Sequence, residues 1–295
     1  MNPVVSTTVN PKYFLTDLDG TLLNASASLS DYTVQVLNEA LIAGHVIAFA
    51  TARSLVSAKL CVAHVHWRHP VILFNGALIM DYANNHVIRG HFVDGEVADE
   101  ALSIGRMFGV TPFVYLMSGD GREEVQYESA HNDGERGYLQ SRANDPRFRR
   151  VDAITVAPDV RLMALSYIAP HEKLESLYET LRTQFGDEIH LHFTQDTYLR
   201  EYYFLEISHP SANKRSALLT WASLVGCDAA EITVFGDNLN DLGLFAAAGQ
   251  RVAVANAHPD LKAMADRVVA SHDEDGVARY IASNTGFRGM KFRFS

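Results

Sequence analysis

Five short apolar runs in this chain each stop at a polar residue able to do chemistry. Tyr13-Phe14-Leu15 leads to Asp17, Val46 to Ala50 leads to Thr51, and Val71 to Phe74 leads to Asn75. Further on, Ile232 to Phe235 leads to Gly236-Asp237, and Val252 to Ala255 leads to Asn256. Short runs that are apolar throughout read as strands buried on both faces. Stretches with helical spacing separate them. Val34, Leu37 and Leu41 follow a Ser30 N-cap and stop at Gly44, and Lys214 opens a stretch closed by Gly226. That alternation predicts an α/β fold around a doubly wound parallel sheet. In such sheets ligands bind outside the carboxyl ends of the strands, so the polar ends converge on one crevice.

The first of these ends is the sharpest. Asp17-Leu18-Asp19-Gly20-Thr21-Leu22-Leu23 places two carboxylates two positions apart behind an apolar strand, and Gly20-Thr21 then turns the chain. Like charges this close resist joint ionisation unless a cation or a proton offsets them. The site suits a metal, a nucleophile and a proton donor at once. Asp237 and Asp241 bring the crevice to four carboxylates. Oxygen-only donors with no cysteine nearby favour a hard cation, magnesium first among them. Thr51 and Lys214 supply a hydroxyl and an ammonium that can hold phosphate oxygens, and Asn240 can donate an amide hydrogen to the same group.

Between about Tyr82 and Arg200 the pattern changes. Residues 87 to 128 read as strand, helix, strand and strand, with the helix from about Gly95 to Phe108. Residues 129 to 150 are polar and arginine-rich and read as a long loop or a loose helix. Met163 to Ile168 reads as a strand, Pro170 opens a helix along Leu174, Leu177, Leu181 and Phe185, and Ile189 to Phe193 alternates as a half-exposed strand. The segment 82–200 is therefore expected as an α+β domain inserted into a core of 1–81 and 201–295. The core pattern is expected to resume near Tyr203.

Composition excludes several classes. A formal net charge of −10 makes a generic binder of nucleic acid or anionic membrane a poor expectation. The arginines at 136, 142, 147, 149 and 150 are interleaved with acids and read as a solvated face. No run approaches the ~20 apolar residues that span a bilayer, and Met1 to Lys12 lacks the pattern of a secretory leader. Cys61 and Cys227 form no C-x-x-C, so a reducing cytoplasmic setting with free thiols is expected. His64, His66 and His69 around Trp67, and His190 with His192 on one strand face, raise a second metal site. Zinc sites need three or four well-placed ligands, and surface or lining histidines are the plainer reading.

The order Asp-x-Asp, Thr, Lys, then Gly-Asp-x-x-Asn-Asp resembles the haloacid dehalogenase-like phosphatases, closest to their Cof-like sugar phosphatase branch with a large α/β cap. Asp17 to Leu23, Thr51-Ala52-Arg53, Lys214, and Gly236 to Asp241 match its four motifs, with Asn75-Gly76-Ala77 and Val254 to Ala257 as further likenesses. The resemblance implies a Rossmann-like core with an inserted cap and a magnesium-dependent phosphomonoesterase. It implies Asp17 as the nucleophile that forms an aspartyl-phosphate, and Asp19 as the acid and then the base. Magnesium would sit on the carboxylates of Asp17 and Asp237 and the backbone carbonyl of Asp19, supported by Asp241. Thr51, Lys214, Asn240 and the backbone near Leu18 and Ala52 would hold the phosphate. Ala52 and Arg215 stand where the branch often has glycine.

A small phosphorylated metabolite is the expected partner, with a sugar or polyol phosphate favoured by the polar character of the insert. The cap would close over the site and read the leaving group, with His192, Tyr198 and Arg200 as candidates. The chain is expected as a monomer or homodimer. A phosphomutase, a dehalogenase and a non-catalytic sugar-phosphate sensor are the rival readings. An intact nucleophile speaks against a sensor, and a dehalogenase would have no need of Asp19 as a leaving-group acid or of magnesium.

Overall fold

The computed structural model describes residues 10–118, 121–155, 160–196 and 199–287. In chain order the first elements are β1 (Tyr13–Thr16), α1 (Asp31–Ile42), β2 (Val46–Phe49), α2 (Leu55–Val62), β3 (Val71–Leu73), β4 (Leu78–Asp81) and β5 (His86–Gly90). Next come α3 (Gly95–Met107), β6 (Phe113–Met117), β7 (Glu123–Tyr127), α4 (Asp133–Gln140), β8 (Phe148–Arg150), β9 (Arg161–Pro170), α5 (His171–Phe185), β10 (His190–Gln195) and β11 (Tyr202–Ser208). The chain ends through α6 (Lys214–Val225), β12 (Ile232–Gly236), α7 (Leu242–Ala247), β13 (Gln250–Val254), α8 (Pro259–Met264), β14 (Arg267–Val269) and α9 (Gly276–Thr285). It divides into two compact units, Met1–Arg89 with Asn213–Ser295, and Gly90–Ala212.

The first unit is built on a five-stranded sheet in the order β14-β13-β12-β1-β2, parallel throughout. Phe14, Leu15, Ile47, Ala48, Val234 and Phe235 are fully or almost fully buried, as strands covered on both faces require. Ser30 caps α1 by accepting from the Thr33 amide at 3.0 Å, and Val36, Leu37, Ala40 and Leu41 form its inner stripe. The run at Val71 joins this sheet only through a single bridge from Ala50 to Ile72. It forms instead a separate three-stranded sheet, β3-β4-β5.

The second unit carries a six-stranded sheet in the order β10-β11-β9-β6-β7-β8. One face packs against α3 and α5, through Ala98, Ala101 and Leu102 on one side and Leu174, Leu177 and Leu181 on the other. On the opposite face Tyr138 and Leu139 of α4 pack over Phe113, Val125 and Ile168. The expected bounds of 82–200 differ from this division for a physical reason. Strand β5 still belongs to the β3-β4 sheet, so the chain leaves the first unit after Arg89. Strand β11 pairs antiparallel with both β9 and β10, so the core pattern does not resume near Tyr203 but at Asn213. The stretch expected as a loop or loose helix holds α4 and the short β8.

Candidate active site

Asp17 follows β1 directly and is buried, and its amide donates to the Phe235 carbonyl of β12 at 3.0 Å. The chain then folds back on itself. The amides of Thr21, Leu22 and Leu23 all donate to the Leu18 carbonyl at 2.8–3.2 Å, with Leu18, Leu22 and Leu23 pointing into the core. Gly20 is required in this turn twice over. Its φ is +76°, and a Cβ there would lie 2.4 Å from Asp237 Oδ2. Thr21 donates from Oγ1 to Asp237 Oδ1 at 2.9 Å and so ties the first loop to the loop after β12.

Asn213 caps α6, accepting from the Ser216 amide at 2.9 Å, which places Lys214 at the first position of the helix with its side chain inward. Its Nζ donates to Asp17 Oδ1 and to Asp241 Oδ1, both at 2.6 Å, and all three side chains are almost fully buried. Asp241 accepts on its other oxygen from the amides of Asp237 and Asn238, at 3.0 and 3.2 Å. A Cβ on Gly236 would strike the Asp241 side chain at 2.7 Å, so that glycine lets the loop close. Single oxygens of Asp17, Asp237 and Asp241 all lie within 4.8 Å of one another. Among the described residues this is the one such set of ligand-type side chains, and the histidines around Trp67 form none.

The electrostatics are unbalanced. Burial pushes the Asp17 carboxyl well above the ordinary carboxylate range; Lys214 opposes this, while Asp241 and Asp237 add to it. Burial and then the Asp241 charge push Asp237 up to about 6, against the Thr21 hydrogen bond. Burial disfavours the Lys214 ammonium, but Asp17 and Asp241 outweigh it and hold that group above its ordinary value. One ammonium does not offset three clustered carboxylates. The arrangement therefore suits a divalent cation bound through oxygen, as the donor chemistry requires.

The other expected residues lie at neighbouring strand ends. Thr51 follows β2 and is buried; its Oγ1 accepts from the Arg53 amide at 3.1 Å. Among the described residues neither the Leu18 nor the Ala52 amide makes a backbone hydrogen bond. Asn240 donates from Nδ2 to Asn75 Oδ1 at 3.2 Å. Asn75 sits in a turn where Phe74, Asn75 and Gly76 all have positive φ, pinned by amide bonds from Phe74 to the Arg53 carbonyl and from Asn75 to the Thr51 carbonyl. Asn256 donates to the Gly20 carbonyl at 2.7 Å.

Asp19 is the exception. Its carboxylate is about half exposed and outside the carboxylate cluster. Arg53 holds it in a fork, with Nε to Oδ2 at 2.7 Å and Nη2 to Oδ1 at 2.6 Å. Arg53 Nη1 in turn donates to Ser57 Oγ at 3.2 Å and contacts Cys61 Sγ at 3.1 Å. No local sequence pattern predicts this pairing or the Thr21 tie. The arginine in Thr51-Ala52-Arg53 and the threonine after Gly20 are their only traces there. Of the residues expected to read a leaving group, His192 lies on β10, Arg200 lies beside β11 with its carbonyl accepting from Gln195 Nε2 at 2.7 Å, and Tyr198 lies outside the described residues.

The chain matches the haloacid dehalogenase-like hydrolases over residues 14–281. It is 24% identical over 270 residues to a pyridoxal phosphate phosphatase of Escherichia coli (strain K12), covering 91% of this chain and 96% of that one. It is 28% identical over 279 residues to a 5-amino-6-(5-phospho-D-ribitylamino)uracil phosphatase of Bacillus subtilis (strain 168), covering 90% and 95%. The crystal structure of a haloacid dehalogenase-like hydrolase from Bacteroides thetaiotaomicron superposes with a TM-score of 0.76 at 21% identity, covering 93% of this chain and 99% of that one. The chain belongs to the haloacid dehalogenase-like hydrolases, and its fold is theirs. Among the described residues no helix is long and apolar enough to cross a membrane.

Proposed function

We propose that this member of the haloacid dehalogenase-like hydrolases is a magnesium-dependent phosphomonoesterase acting on a small phosphorylated metabolite. The observation that carries the reading is the buried Lys214 bridge between Asp17 and Asp241, with Asp237 completing a carboxylate set short of positive charge. Two of the relatives are named phosphatases of small phosphorylated compounds, which supports the reaction class.

Asp17 is the nucleophile. One of its oxygens attacks phosphorus as the bond to the leaving oxygen breaks, giving an aspartyl-phosphate. Asp19 gives its proton to that leaving oxygen, then takes a proton from the water that attacks phosphorus and frees Asp17. Splitting the displacement in two makes each step easier. Asp19 must leave its fork with Arg53 and carry a proton to act first as an acid, so the pairing describes a resting arrangement. Lys214 holds Asp17 and meets the phosphate charge, with Thr51, Asn240 and the amides of Leu18 and Ala52 as further donors. Asp17 and Asp237 would hold magnesium with the Asp19 carbonyl, and Asp241 supports them. The ion, when bound, neutralises charge on the phosphoryl oxygens.

The organic part of the substrate is assigned to the insert. A hydroxyl-bearing phosphorylated chain, as in a sugar or polyol phosphate, fits its polar character, and one relative's substrate is named for a phospho-D-ribitylamino group. Phosphate release from an aryl phosphate and a sugar phosphate panel tests the reading. Exhaustive chelation should abolish release and added magnesium should restore it. Full activity after chelation, or isomer formation in place of free phosphate, would sink it, the latter in favour of a phosphomutase.

A further inference from the structure

Asn75 has no task in the reaction described above, yet the backbone around it is held in a costly shape. Phe74 and Asn75 have φ of +48° and +52°, and among the described residues they are the one adjacent pair of non-glycine residues with positive φ. A bulky residue rarely enters that region, and it stays there only where its surroundings over-determine it. Two neighbouring segments do so here. The Phe74 amide donates to the Arg53 carbonyl at 3.1 Å, and the Asn75 amide to the Thr51 carbonyl at 3.0 Å. On Gly76 a Cβ would lie 2.5 Å from the Asn213 carbonyl oxygen, so the turn sits directly against the residue that caps α6.

The turn thus braces two segments that carry phosphate donors, the loop of Thr51 and Ala52 and the start of α6 with Lys214. Its side chain reaches a third. Asn240 lies in the loop after β12 and donates from Nδ2 to Asn75 Oδ1 at 3.2 Å, with both side chains partly buried. All of these residues belong to the first unit. A side-chain amide nitrogen carries two hydrogens. The bond to Asn75 takes one, fixes the plane of the Asn240 amide and leaves the other hydrogen for an anion. Without that bond the amide is free to reverse, and its oxygen would then repel the anion that its nitrogen attracts.

Resting on the phosphatase reading above, we propose that Asn75 is a positioning residue for phosphate binding. The left-handed turn presents its Oδ1 to Asn240 and so holds the Asn240 nitrogen toward the phosphate, which Asn75 itself does not touch. Asparagine suits the position because its short polar side chain tolerates this backbone region and can also accept the bond.

The test is a double-mutant cycle on the full-length protein with magnesium, using Asn75→Gly, Asn240→Ala and the two combined. Glycine adopts a positive φ freely, so Asn75→Gly removes the side chain and keeps the turn. One readout is kcat/KM for p-nitrophenyl phosphate. The other is the calorimetric Kd of inorganic phosphate, which needs no turnover and does not depend on the fraction folded. Asn240→Ala should weaken both by about 10- to 100-fold, the range of a hydrogen bond to a charged group. Asn75→Gly should weaken both by about 3- to 10-fold, because the donor stays but is no longer held. The combined variant should match Asn240→Ala within about twofold, since nothing is left to orient once that amide is gone. A purely structural role for Asn75 would instead multiply the two losses. Multiplied losses overturn the proposal, as do unchanged values in Asn75→Gly or a wild type that binds no inorganic phosphate. Failure to release phosphate from any ester, with the coupled pattern present in the Kd values, would sink the phosphatase reading and leave the role of Asn75 standing.

Discussion

The two units of this chain handle buried charge in opposite ways. In the first, three carboxylates crowd together and one lysine bridges two of them at 2.6 Å, with backbone amides on Asp241 and the Thr21 hydroxyl on Asp237. In the second, Glu206 stands on a sheet face without any such partner among the described residues. A paired and hydrogen-bonded network fixes geometry before a substrate arrives, which is what a reacting centre needs. A lone, partly desolvated carboxylate fixes little and is costly to keep charged. The contrast sets a compensated carboxylate cluster in the first unit against an uncompensated carboxylate in the second.

The largest effect that could break this contrast is at the nucleophile. Asp17→Asn keeps the shape and removes the attacking charge. Phosphate release should fall by several orders of magnitude, the scale seen when an enzyme loses its nucleophile. Near-normal release by that variant would show that the carboxylate cluster is not the reacting centre.

Lys214→Met probes the network itself. It strands Asp17 and Asp241 in the interior with their shared cation gone. Breaking a buried pair from one side typically costs about 3–5 kcal/mol. The thermal midpoint should drop by several degrees, and turnover should fall by about 10²–10³-fold with the loss of a charge-stabilising donor. A variant that loses turnover but keeps its midpoint would mean the bridge serves the substrate alone and not the fold.

Sequence reading reached the two units unequally, for reasons visible in particular residues. Asp17, Thr51, Asp237 and Asn256 follow strands of the parallel sheet, which gathers such ends whatever its loops do, whereas Asn75 follows β3 of the separate sheet. Their positions could therefore be read from the strand pattern. Lys214 drew its meaning only from its order among them, yet the Asn213 cap and the helix start turn it inward. The fork from Arg53 to Asp19 spans two loops, and no local pattern encodes that reach. The second compact unit extends past the expected bound because β11, half-buried and following a polar stretch, resembles a returning core strand until its pairing with β9 and β10 is known. Glu206 gave no signal at all. A single glutamate in an alternating strand looks like a solvated side chain, and only the pairing of four strands reveals what stands beside it.

The smallest expected effect is also the most selective test of the contrast, because it reads Glu206 without a substrate. Its folded pKa of about 7 lies above the ordinary 4.5, so the folded state holds the proton more tightly than the unfolded chain. Its contribution to stability is therefore fully present below about pH 4.5 and is lost as pH rises through about 7. Replacing it with glutamine removes that loss, since an amide does not ionise. Relative to wild type, Glu206→Gln should gain stability between pH 5 and pH 8, by roughly 1–3 kcal/mol for a shift of this kind. Denaturant unfolding of both proteins at the two pH values measures the difference directly. An equal gap at pH 5 and pH 8 would mean that the carboxylate is as well satisfied as those around Lys214. The contrast between a compensated cluster and an uncompensated carboxylate would then fail at its second half.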